Sequence, residues 1–347
     1  MKFPYAPLLV LCLFALPAAA QSPQPSPPPE FPSVRVGILS YLQYDAELEN
    51  RNGLNSFDLT RMYLNINGAL SKNIRFRFTP DIRRVTDGSL AGSLTLRVKY
   101  GFLQFDNVGH ARSWLRLGLH QTPWLDFEEG VNRYRVQGTM FSEREGLIPG
   151  SADFGAGYFT PIFHDFGDIQ FGIYNGEGFT QPEVNKYKSL QGRITVRPLP
   201  KEATARGLRL SAFYNAGWYA ADRPRRLGIV MASFEHPKLV ATLQHVMATE
   251  RPTELPTNNI DRSGDSGFLE VRQGLQGWAA FARFESFDPD DDLPDNSHRR
   301  AIAGVAYWFR LSGARLGLVL NDEDVRYDAG ALHARENRLL AQAHVEF

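Results

Sequence analysis

Near the end of the chain, apolar residues Leu339, Ala341, Ala343, Val345 and Phe347 hold one parity, and Arg338, Gln342, His344 and Glu346 hold the other. Alternation of this kind puts one set of side chains on each face of a β-strand. The pattern recurs. In Ile74-Arg75-Phe76-Arg77-Phe78-Thr79 a helical period would mix arginine with phenylalanine on one face, so the segment reads as strand. Leu94, Leu96, Val98, Tyr100 and Phe102 alternate with Thr95, Arg97, Lys99 and Gly101. Leu115/Leu117/Leu119, Ile169/Phe171/Ile173, Ile194/Val196, Leu208/Leu210 and Leu316/Leu318/Leu320 repeat the theme. With weaker segments included, roughly sixteen strands are predicted, an even number. They start near Val34, Phe57, Asn73, Leu94, Ser113, Asp153, Asp168, Leu190, Leu208, Leu227, Lys238, Ser266, Trp278, Ala301, Ala314 and Asn337.

Strands with one greasy and one polar face suit a cylinder with hydrocarbon outside and water within. The predicted fold is all-β, a transmembrane antiparallel β-barrel whose last strand ends on the aromatic Phe347. The connections support this, because long polar segments (46–56, 122–152, 176–189, 249–265, 288–299, 322–336) alternate with shorter ones (70–72, 107–109, 162–167, 235–237, 274–277, 312–313). The connection at 198–206 is intermediate and that at 219–226 medium. Long connections are expected outside the cell and short turns in the periplasm. Tyr41, Tyr44, Trp114, Trp124, Trp218, Tyr219, Tyr307 and Trp308 fall near strand ends and read as interfacial girdles, the alternative being the core of a β-sandwich.

The first twenty residues fit an export signal: Lys2, an apolar run from Leu8 to Leu16, and Ala18-Ala19-Ala20 as a cleavage site. Residues 21–33 are a proline-rich lead-in, leaving 34–347 for the barrel. The single cysteine, Cys12, lies within the signal, so the exported chain has no disulfide. Lys and Arg total 38, as do Asp and Glu, so no net field points to nucleic acid. A mean hydropathy of −0.31 would suit a soluble protein, but in a barrel only alternate residues meet lipid. No serine-hydrolase, zinc-protease or nucleotide-binding motif occurs, and His164 and His236 read as polar surface, so no catalytic residue, metal site or cofactor is expected. Asp288-Pro289-Asp290-Asp291-Asp292 opens like a calcium loop, but Leu293 holds the glycine position and Arg299 the closing glutamate position; it reads as a solvated outer loop, with divalent-ion bridging to lipopolysaccharide as the alternative.

Residues 122–152 form the third outer connection, after 46–56 and the loop containing Asp87-Gly88, and are too long to be structureless without a role. Gly118-Leu119-His120-Gln121-Thr122-Pro123-Trp124, then Phe141-Ser142-Glu143-Arg144 and Asp153-Phe154-Gly155, resemble the phosphate-selective porin O/P family. Residues 59–68 and Ala282-Arg283-Phe284-Glu285 agree with it. The resemblance spans most of the chain and implies a sixteen-stranded outer-membrane porin, commonly a trimer, whose third loop folds inward as a constriction. Its phosphate-selective members carry lysine-rich constrictions, whereas residues 122–152 contain no lysine and offer Arg133, Arg135 and Arg144 beside Glu128, Glu129, Glu143 and Glu145.

Parity then sends Arg61, Arg75, Arg77, Arg97, Lys99, Arg116, His120, Arg193, Arg197, Arg209, Arg283 and Arg315 into the lumen, since a cation facing lipid at mid-depth costs about 2–4 kcal/mol. Inward acids such as Asp81 and Glu285 offset part of this charge. Two readings of the arginines stay open: they attract small anionic solutes, or they pair with loop acids and brace the constriction. The expected function is passive diffusion of small hydrophilic solutes, with outer-membrane lipid and lipopolysaccharide as surroundings. The alternatives are a structural or adhesive barrel with an occluded lumen and, third, an outer-membrane enzyme.

Overall fold

Sixteen antiparallel strands close into one barrel. The computed structural model describes residues 30–49, 53–85, 88–162, 165–220, 223–252, 258–331 and 333–347. The export signal, most of the proline-rich lead-in, and His164 lie outside them. In chain order the strands are β1 (Ser33–Glu49), β2 (Asn55–Ser71), β3 (Ile74–Arg84), β4 (Leu94–Asp106), β5 (Trp114–Gln121), β6 (Ala152–Ile162), β7 (Gly167–Tyr174) and β8 (Ser189–Val196). They continue as β9 (Leu208–Ala220), β10 (Arg223–His236), β11 (Leu239–Glu250), β12 (Ile260–Arg272), β13 (Gly277–Asp288), β14 (His298–Trp308), β15 (Arg315–Tyr327) and β16 (Glu336–Glu346). Two short helices, α1 (Leu125–Val131) and α2 (Phe141–Arg144), lie between β5 and β6.

Each strand pairs with its sequence neighbours, and β1 pairs with β16 to close the sheet. Closure leaves no edge strand with unpaired N–H and C=O groups, which hydrocarbon would not tolerate. Phe347 extends the seam by exchanging backbone hydrogen bonds with Ile38 at 2.8 and 3.0 Å. Parity sorts the faces as expected. Along β11, Leu243 and Met247 are exposed on the outside, whereas Gln244, Val246 and Ala248 are buried within.

Every predicted strand is present, but several limits differ. β10 begins at Arg223 rather than near Leu227, β12 at Ile260 rather than near Ser266, and β14 at His298 rather than near Ala301. The medium connection expected at 219–226 shrinks to residues 221–222, which lie outside the described residues. β1 includes Ser33, assigned above to the lead-in.

One parity reading is overturned. Tyr100 and Phe102 do not share the lipid face with Leu94, Leu96 and Val98; they are buried inside. Thr79 pairs with Tyr100 while Pro80 pairs with Val98, so Lys99 is an extra residue in β4. Proline has no N–H for the ladder and is accommodated at such a bulge. Past the bulge the facing set switches, and Leu103 is exposed outside while Gln104 is buried inside. The girdle reading is also corrected. Tyr44, Trp218 and Tyr307 are partly or largely exposed at outward positions, but Tyr41, Trp124 and Trp308 are buried within, and Trp114 carries Arg116 over its ring on the lumen side.

The outward assignment has a direct check. Leu243, 72% exposed in the middle of β11, is expected to cost about 2–4 kcal/mol when replaced by arginine, read by urea titration in lipid vesicles. An unchanged midpoint would remove Leu243 from the hydrocarbon-facing side.

Candidate functional site: the constriction

The connection between β5 and β6 packs on buried residues of the strands. Its local order starts from α1, where Leu125, Glu128 and Val131 share the buried face. Asp126 and Glu128 in the first turn suit the positive end of the helix. Trp124, Leu125, Met140, Phe141, Leu147 and Ile148 are buried against Phe213 of β9, Leu227, Ile229 and Met231 of β10, Val246 of β11 and Phe287 of β13. Val131, Tyr134 and Val136 pack on β12–β15, with the Tyr134 ring stacked 4.0 Å from that of Phe281. The lumen of β9–β15 therefore carries apolar side chains because the loop covers them.

Polar contacts hold the same face. Arg144 pairs with Glu285 at 2.9 Å, and Glu285 also meets Arg283 at 3.5 Å and Arg300 at 3.4 Å. Arg300 and Arg338 converge on Glu323, to which Gln137 also donates at 3.0 Å. Arg133 and Tyr134 both donate to Glu270, at 2.8 and 2.9 Å. Arg283 donates to the Thr139 carbonyl, and Gln342 to that of Val136. Removing one member of such a buried network strands the others, at a cost of about 3–5 kcal/mol.

The predicted loop residues thus divide. Glu128 is not a channel residue. It is buried against the wall, accepts from Trp124 Nε1 at 2.9 Å, and with the Gln244 amide suitably turned accepts from it at 3.1 Å. Burial pushes its carboxyl up to about 7. Arg133 and Arg144 are tethers. Arg135 instead bridges Glu129 at 2.7 Å and Glu143 at 3.0 Å, and this trio faces the opposite wall.

That opposite wall, β2–β5, is different in kind. Arg61 lies 5.0 Å from the centre of the Tyr63 ring, and Lys99 lies 5.3 Å from the same ring. Lys99 is also 5.8 Å from Tyr100, which carries Arg77 at 4.3 Å. Arg116 stacks on Trp114 at 4.0 Å and Phe102 at 4.9 Å. Neutral donors and acceptors complete the set, with Arg77 donating to Asn65 and Arg116 to Gln104 and Gln121. None of these four cations is ion-paired with a carboxylate among the described residues. They alternate with aromatic rings, whose faces favour cations.

The remaining sequence-predicted wall residues are mostly paired. Arg97 meets Asp81 at 3.0 Å, Arg193 meets Asp168 at 2.8 Å, and Arg209 meets Glu235. Arg75 and Arg315 sit at the short-turn rim, more than half exposed, beside Asp106 and Glu346. Arg197 lies just past the end of β8. His120 is fully buried beside Tyr174, in a space kept open by Gly157, whose added Cβ would meet the His120 ring at 2.6 Å. It is a packed residue rather than a lining one. Arg83, Arg300, Glu270 and Glu323 escaped the sequence reading, although extending the parity of Arg75 and Arg77 along β3 reaches Arg83.

Two cavities flank the loop. One of about 500 Å³, toward the long-loop end, touches Arg61, Arg83, Arg97 and Gln137. The other, about 530 Å³, touches Arg133, Arg272, Arg315 and Glu346 toward the short turns. Both are lined by Tyr41 and Arg135, which stand between them.

No family model and no curated protein matches the sequence. Solved structures do. An anion-selective porin from Comamonas acidovorans is 13% identical with a TM-score of 0.64, over 91% of this chain and 100% of that one. OmpT of Vibrio cholerae, expressed in the outer membrane, is 12% identical with a TM-score of 0.64, over 92% and 99%. OmpF of Salmonella typhi, complexed with daunomycin, is 11% identical with a TM-score of 0.60, over 90% and 97%. At these identities the likeness is one of fold, and the fold is that of outer-membrane porins.

The buried Glu128 carboxyl predicts a pH effect. Between the ordinary carboxylate range and about 7 the folded state holds this proton more tightly than the unfolded chain, so stability falls as pH rises through that window. Glu128→Gln should melt with the wild type at about pH 5 and above it at about pH 8 in detergent. Equal melting at both pH values would contradict the buried carboxyl.

Proposed function

We propose that this chain is an outer-membrane porin that admits small hydrophilic solutes by passive diffusion and prefers anions. The long-loop end faces outward and the short turns face the periplasm, reached after removal of the export signal. The apolar outer face suits lipid and lipopolysaccharide as surroundings, and a homotrimer is the proposed assembly. No covalent step is needed: the passage at Tyr41 and Arg135 limits size and the lining biases charge.

The observation that carries the reading is the contrast between the walls. Under the loop, cations and acids neutralise one another and brace it. On β2–β5, Arg61, Arg77 and Arg116 rest on rings and amides and form no ion pair among the described residues, the loop acids Asp126 and Glu129 acting on them only at longer range. A low-dielectric wall focuses such a field across a narrow passage. The two readings of the arginines thus both apply, to opposite sides of one lumen. The cavities on either side of the loop favour a pore over an occluded structural barrel. Phosphate, the solute implied by the narrower resemblance, has weaker support, because residues 122–152 bring no lysine to the constriction.

The test is the zero-current potential in a KCl gradient across a planar bilayer. The wild type should be anion-selective, and Arg61→Ala with Lys99→Ala should lower the chloride-to-potassium permeability ratio about threefold or more. A cation-selective wild type, or a ratio untouched by the double substitution, would refute the proposal.

A further inference from the structure

The cavity on the long-loop side of the passage is more basic than its counterpart. Six arginines and three acids line it, against four arginines and three acids, with His344, in the cavity near the short turns. Two of its arginines sit on neighbouring strands, β2 and β3. Tyr63 pairs with Asp81 and Met62 with Ile82 between β2 and β3, and Arg61 and Arg83 follow that last pair on the two strands. Both have the inward parity and both line the cavity. Two like charges lining one cavity repel, and either a carboxylate from the protein or an anion from outside relieves that repulsion.

The loop carboxylates that act on Arg61, Glu129 and Glu143, are both engaged by Arg135, and the other described acids of the cavity are taken as well. Asp81 is engaged by Arg97 at 3.0 Å, Asp58 by Arg84 at 2.5 Å, and Glu143 by Arg135 at 3.0 Å. Arg61 rests on the Tyr41 and Tyr63 rings, and Arg83 donates Nε only to the Arg84 carbonyl, at 3.2 Å. Among the described residues neither forms an ion pair. At about 500 Å³ the cavity exceeds the needs of a bare inorganic ion. It also offers Leu59, Val136 and the Tyr41 ring to a short carbon chain. Guanidinium forks match carboxylates in geometry as well as charge.

We infer that Arg61 and Arg83 form a binding subsite for organic dianions, two carboxylates on a short carbon skeleton, which gathers them before the passage. This rests on the anion-preferring pore proposed above and names what that pore concentrates. A dicarboxylate neutralises both arginines at once, whereas a monocarboxylate leaves one uncompensated.

The test is interruption of chloride current through single channels at neutral pH, with succinate or acetate added to one side at a time. Succinate should interrupt the current at a concentration about tenfold below acetate, equivalent to about 1.4 kcal/mol. Its half-blocking concentration should also differ several-fold between the two sides, since the subsite lies on only one side of the loop. Arg83→Ala should weaken the succinate block about fivefold or more while the zero-current potential stays anion-selective. Arg83→Lys, which keeps the charge but loses the fork, should fall between. Equal block by succinate and acetate, equal block from both sides, or no change in Arg83→Ala would each overturn the inference. A cation-selective wild-type potential is a separate result and would strike the pore reading instead. Should Arg83→Ala not assemble, the comparison of the two solutes and the two sides in the wild type still decides.

Discussion

Neighbouring residues on every strand meet different solvents, and the sheet must close with no free edge. Those two requirements determine most of what this chain does. Hydrocarbon cannot satisfy backbone N–H and C=O groups, so β1 must find β16, and Phe347 with Ile38 extends that seam. Once the cylinder is closed, every second side chain is confined to the lumen. Charges sent there need a partner, a ring face or water.

The inserted loop resolves this confinement differently on the two sides. Against β9–β15 it brings Trp124, Leu125, Met140 and Phe141 onto apolar lumen positions, and a chain of ion pairs through Glu285 and Glu323 secures its far half. Attachment on one side leaves Arg61, Arg77 and Arg116 of β2–β5 only partly buried. The cations there are positioned by stacking and amide contacts, which fix geometry without cancelling charge. Constriction, bracing and proposed selectivity are thus consequences of one packing choice.

Much of the fold was legible because parity is a local signal. It placed β3, β8 and β15 well, and it put Arg61, Arg77, Lys99 and Arg116 inside. It failed where one solvent did not dominate. In β10 the run Leu227-Gly228-Ile229-Val230-Met231 is apolar on both faces, because the loop makes part of the lumen greasy, so the alternation disappears. The outer parts of β12 (Ile260–Asp265) and β14 (His298–Arg300) are largely polar on both faces, so those strands appeared to start late. At Lys99 a bulge opposite Pro80 shifted the phase, and Tyr100 and Phe102 changed sides. The site was less legible than the fold. Which arginines are paired depends on contacts such as Arg144–Glu285 and Arg133–Glu270, whose partners lie far apart in sequence.

The central claim is that the β2–β5 wall faces the permeation path while the β9–β15 wall is sealed beneath the loop. The only cysteine, Cys12, falls within the predicted export signal, so single cysteines can be introduced cleanly. The direct measurement is modification of Arg61→Cys and Ile229→Cys by a charged, water-soluble thiol reagent while current is recorded. The account predicts rapid reaction and a fall in current at Arg61→Cys, and no reaction at Ile229→Cys, which replaces a side chain only 1% exposed. Comparable reaction at both positions, or reaction at Ile229→Cys alone, would contradict it.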